Sequence, residues 1–126
     1  MAKKFVIAVA PTFKSKVSIP RVGADPLEVE FVFKAKSRKE LATLFSKWGK
    51  EFEELRESGS DFTLEDWAEA EIKLQVGQVK DIVVGWNFDD EFNDENIEAL
   101  VNSSISVTEA ITNAYNTAYV SAKQGN

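Results

Sequence analysis

The hydrophobic period of this chain changes at Ser37, and that change limits the fold more than any other feature. Upstream, Leu27 to Lys36 (LEVEFVFKAK) alternates: Leu27, Val29, Phe31, Phe33 and Ala35 share one side, with Glu28, Glu30, Lys34 and Lys36 opposite. That is the pattern of a strand with one buried and one wet face. Downstream, Ser37-Arg38-Lys39-Glu40 has the form of a capping box, with Ser as N-cap and Glu three residues on. Leu41, Leu44, Phe45, Trp48, Phe52 and Leu55 then recur at steps of three or four, which predicts a helix with one apolar stripe facing the sheet. A strand period that hands over directly to a helical period predicts an α+β fold.

The remaining segments fit that frame. Lys4–Ala10 (KFVIAVA) is β-branched and aromatic and reads as a buried strand. Lys16–Pro20 alternates through Val17 and Ile19, and Arg21–Pro26 carries the loop formers Gly23, Asp25 and Pro26. With Leu27–Lys36 these predict a small N-terminal antiparallel sheet of about three strands. Ser58-Gly59-Ser60 closes the first helix, and Thr63 is a good N-cap for a second. Ala68, Ile72, Val76, Val79, Val83 and Trp86 continue at helical spacing, against a competing strand alternation at Ile72, Leu74 and Val76. The six helical matches and the cap favour helix as far as Trp86. Asn87–Phe92 reads as a loop, and Asn93 as the N-cap of a short helix using Ile97, Leu100 and Val101. Ser106 and Glu109 form a further capping box before a last helix with a small-residue row at Ala110, Ala114, Ala118 and Ala122. The expected organisation is a single domain over residues 1–126, β-rich over 1–36 and helical over 37–126.

Composition removes whole classes of chemistry. The 126 residues contain no Cys and no His, so disulfides, thiolate nucleophiles and imidazole bases or ligands are impossible. Net charge is -6, with Lys and Arg gathered early and acids from Glu51 onward, a balance that argues against nucleic acid as partner. Asp89, Asp90, Glu91 and Asp94 cluster in one loop but lack the alternating acids, central Gly and distal Glu of a Ca²⁺ loop. No phosphate-cradling or nucleophile-elbow motif is present. The expectation is a protein with no catalytic residues, no cofactor and no metal. No apolar run is long enough to cross a bilayer and no signal peptide is recognisable, so a cytoplasmic protein without membrane contact is expected.

The final third carries a further pattern. The apolar run Ile82-Val83-Val84 leads into Gly85-Trp86, then Phe92 before the short helix and Ile97 and Leu100 within it. Ala110-Ile111 and Ala114-Tyr115 follow on the last helix, and Gly125-Asn126 closes the chain. This ordered set, over residues 81–126, resembles the C-terminal half of tail assembly chaperones from long-tailed bacteriophages. The family usually has Tyr-Pro between its final two helices, where this chain has Ser103-Ser104-Ile105. The resemblance implies a non-enzymatic protein of the infected host's cytoplasm that is absent from the mature virion. Its implied work is to bind the tape measure protein, keep that long apolar helical protein soluble, and help recruit tail tube subunits. In many such systems a frameshift makes a longer form. For a chaperone of this kind the expected partner-binding residues are Trp86, Phe92, Ala114, Tyr115, Ala118 and Tyr119, and exposed apolar faces favour self-association. The alternative reading is an acidic adaptor or inhibitor that binds a basic site on another protein, with binding that weakens steeply in salt.

Overall fold

The structure, a computed structural model of the chain, describes residues 10–123. In chain order the elements are strands β1 (Thr12–Arg21) and β2 (Ala24–Lys34), helices α1 (Arg38–Ser58) and α2 (Leu64–Ile82), strand β3 (Val83–Trp86), and helices α3 (Asp94–Ser103) and α4 (Val107–Lys123). Among the described residues the sheet is antiparallel and three-stranded in the order β1-β2-β3, and the fold is α+β.

β1 and β2 form a hairpin tighter than the loop expected over Arg21–Pro26. Arg21 pairs with Ala24, which leaves Val22–Gly23 as the turn. Gly23 takes φ 76, a left-handed conformation that suits a residue without Cβ. Ile19 pairs with Leu27, so Pro20 on one strand faces Asp25 and Pro26 on the other across a register shift. Both prolines lie at this register shift, where the regular pairing is already interrupted and proline is tolerated, which explains how an apparent loop sequence becomes strand.

Among the described residues the third strand comes from another part of the chain. Lys4–Ala10 lies outside the described residues apart from Ala10. The observed third strand, Val83–Trp86, comes from the stretch read as the end of the second helix, and pairs Phe31 with Trp86 and Phe33 with Val83. The reason is local and tertiary together. Val83 and Val84 are β-branched and Gly85 follows, three successive residues that weaken a helix. The free edge of β2 then offers hydrogen bonds that a fraying helix end lacks. Asn87 extends the pairing: its N–H donates to the Glu30 carbonyl at 3.0 Å, and its Oδ1 accepts the Glu30 N–H at 2.8 Å.

One face of the sheet is wet and one is covered. Val17, Ile19, Val29, Phe31, Phe33 and Val83 point inward and join Val79 and Ile82 of α2, Ile97 and Val101 of α3, and Val107, Ile111 and Tyr115 of α4 in one core cluster. Two of the expected caps are complete. Ser37 and Glu40 exchange side-chain and backbone bonds, as do Thr63 and Asp66, and the Glu40 carboxyl is held below its ordinary range by the hydrogen bonds from Ser37. Asn93 caps α3 by accepting the Asn96 N–H at 2.9 Å.

α1 and α2 meet through a crowded turn. A Cβ on the buried Gly59 would lie 2.8 Å from Trp67 Cζ2 and 2.9 Å from the Leu55 carbonyl oxygen. The clash includes backbone, so Gly59→Ala should destabilise the fold by about 1–3 kcal/mol and lower the melting temperature by roughly 4–11 °C. An unchanged circular-dichroism melt would mean that the turn is free to open.

Candidate functional site

Tyr115 and Tyr119 are four residues apart on α4, and the structure uses them to hold the chain together. The Tyr115 hydroxyl donates to the Lys34 carbonyl at 2.8 Å, and the Lys36 N–H donates to the Tyr119 hydroxyl at 2.9 Å. The two hydroxyls are 3.2 Å apart. Because the Tyr115 proton goes to Lys34, Tyr119 donates to Tyr115, giving one directed chain from Lys36 through both tyrosines to Lys34. It clasps α4 to the point where β2 leaves the sheet. The Tyr115 ring lies 5.2 Å from Phe33 and 5.7 Å from Phe13 between centroids. Burial first, and then the bond with Tyr119, raise the pKa of the Tyr115 phenol. Ala114 packs against the same core, and Ala118 is half-buried. Tyr115 is only 1% exposed, whereas Ala114, Ala118 and Tyr119 are half-buried and keep part of their surface.

Trp86 and Phe92 come together at the other end of the sheet. Their rings meet edge to face at 4.9 Å, Phe88 adds a second such contact to Trp86 at 5.0 Å, and the Trp86 indole N–H donates to the Asp90 carbonyl at 2.8 Å. These contacts pin the acidic loop to the sheet end. Beside them lies a shallow cavity of about 240 Å³ reaching Leu100 and Ser103. Both rings are half-buried, so this pair keeps some surface for a partner. Among the described residues no group of three acidic side chains is placed to hold a metal ion.

The surface that the sequence reading missed is on α1. Its apolar stripe was expected to face the sheet; instead only Leu44 is buried, while Phe45 is 42% and Phe52 48% exposed. The stripe divides by angle. At about 100° per residue, Leu44, Leu55 and Trp48 fall toward one edge and Phe52 and Phe45 toward the other: Leu44 is buried, Leu55 and Trp48 are half-buried, and the two phenylalanines are exposed. Asp81 at the end of α2 fixes this rotation by accepting the Trp48 indole N–H at 2.9 Å and pairing with Lys47 at 3.0 Å. The ion pair raises the Lys47 pKa. Phe45 rests on Trp48, with ring centroids 5.7 Å apart, and Phe52 lies two helical turns further on. An apolar stripe held open to water by a hydrogen-bonded helix is an interaction surface in chemical type.

These features are those of a binding protein, and the family comparison agrees. A family model described as phage tail assembly chaperone matches residues 1–126, so the likeness seen in the final third extends over the whole chain. Searches of curated proteins and of solved structures gave no match. The chain belongs to the phage tail assembly chaperone family.

Proposed function

We propose that this chaperone acts on the tape measure protein, covering apolar helical segments of it until tail tube subunits take its place, in the cytoplasm of the infected host and without enzymatic activity. The observation that carries this reading is the uncovered half of the α1 stripe, with Phe45 and Phe52 both about half in water. A holdase needs apolar surface available before its client arrives, and a net charge that keeps the complex dissolved. Here the charge is -6, with Glu53, Glu54 and Glu57 exposed on the same helix.

The test is co-expression with the tape measure protein of the same phage, followed by capture at low and at high salt. The expected result is a soluble tape measure protein that stays bound in high salt, because apolar burial is not screened. Tail tube protein added to that complex should release the chaperone. Capture only at low salt would instead favour the acidic adaptor, and an insoluble, unbound tape measure protein would remove the proposal.

A further inference from the structure

A second surface lies on the opposite flank of α2. Two adjoining cavities of about 510 and 490 Å³ share Ala68, Ile72 and Asn102 and form one open groove between α2, α3 and the connector that follows α3. Its apolar lining is Ala68, Ile72 and Val101, with Ile105 beside them. Ile105 is 92% exposed, standing at the groove's edge with nothing over it. The rim carries Glu65, Glu69, Glu71 and Glu98 against the one cation Lys73. Among the described residues the ion pairs are Lys47–Asp81 and Lys80–Asp94, so the rim carboxylates have no salt-bridge partner of their own.

We infer that this groove takes a basic amphipathic helix, with its apolar side on Ile72 and Ile105 and its Lys or Arg residues against the glutamates. Three properties select that occupant. Glu65, Ala68, Ile72 and Gln75 recur on α2 at helical steps, so the groove runs along the helix axis for about 15 Å, the length of roughly ten helical residues. An apolar floor alone would accept any greasy segment, but the four carboxylates beside it repel an acidic one and give a neutral one no charge to pair with. The groove is also separate from the α1 stripe, where Lys47, Lys50 and Arg56 offset the acids more fully than the single Lys73 does in the groove. The inference rests on the chaperone reading only in taking that helix to be a segment of a tail protein.

The probe is a synthetic amphipathic helix of roughly 18 residues, Leu on one face and Lys on the other, with a scrambled peptide of the same composition as control. Titration calorimetry with the full chain should show the ordered peptide binding and the scrambled one binding much less. Glu69→Lys with Glu98→Lys should weaken binding about tenfold or more. Ile105→Ser, which leaves the charge unchanged, should weaken it several-fold. Glu53→Lys with Glu57→Lys on α1 makes the same change in net charge and should leave binding within about twofold. All these side chains are exposed, so the variants should fold, as far-UV circular dichroism will check. Equal loss from the α1 pair, or no loss from Ile105→Ser, would reduce the groove to unspecific charge and overturn the inference. So would sedimentation showing that wild type self-associates and that the groove variants do not, since the occupant is then a second copy. Failure of the two readings is separable. If wild type holds the tape measure protein and the groove variants match it with peptide and protein alike, the groove inference fails alone. If wild type binds the peptide through the groove but leaves the tape measure protein insoluble, the tape measure reading fails and the groove stands.

Discussion

Tyr115→Ala should destabilise the protein by about 3–5 kcal/mol and lower its melting temperature by roughly 10–20 °C. The ring is fully buried between Phe13 and Phe33, and its removal leaves a void where β1, β2 and α4 meet. The hydroxyl adds a second loss, because Lys34 loses its donor and Tyr119 its acceptor. Tyr115→Phe separates the two contributions: it keeps the packing and should cost about 1 kcal/mol. A Tyr115→Ala variant that melts near wild type would show that α4 is not needed to hold the hairpin, and would return its small-residue face to the candidates for partner contact.

The same hydroxyl sets an alkaline limit. Its pKa in the folded protein lies above the unfolded value of about 10, because burial disfavours the phenolate. Above pH 10 the unfolded chain releases this proton while the folded chain retains it, so the stability it contributes is complete below pH 10 and is lost as pH rises. Tyr115→Phe should therefore start lower at neutral pH and fall less steeply above pH 10. Parallel pH profiles for the two proteins would assign the alkaline loss to other groups.

How much of this was legible in the sequence depends on how local each signal is. Ser37 with Glu40, Thr63 with Asp66, and Asn93 announced three helix starts because a cap is complete within four residues. β3 was not legible, because Val83 and Trp86 suit a helical period and their strand partners, Phe33 and Phe31, lie some fifty residues away. The α1 stripe was visible as a stripe, but periodicity tells which side of a helix is apolar and not how far the rest of the chain reaches to cover it. Phe45 and Phe52 were misplaced for that reason. Ile105 looked like a connector residue, and only the meeting of α2 and α3 makes it the edge of a groove. Ala114 and Tyr115 matched the family pattern, yet the pattern does not distinguish an internal clasp from a contact surface.

Phe45→Ser with Phe52→Ser should sharply weaken retention of the tape measure protein while leaving the chain folded. Each ring has about half its surface in water and half against the chain, so the double variant should lose about 2 kcal/mol of stability and still fold. The partner loses a similar amount. Covering what remains of two phenylalanines contributes roughly 2 kcal/mol, a factor of about 30 in affinity, before any neighbouring contact weakens. With a client that aggregates when uncovered, that factor should appear as a shift of the tape measure protein from the soluble to the insoluble fraction on co-expression. Ala118→Arg on α4 is the comparison, since it tests the face that the small-residue row suggested. Loss of the client with Phe45→Ser and Phe52→Ser but not with Ala118→Arg would assign the client to α1. The reverse would assign it to the exposed side of α4, and leave the uncovered half of α1 to another tail protein or to a second copy of the chaperone.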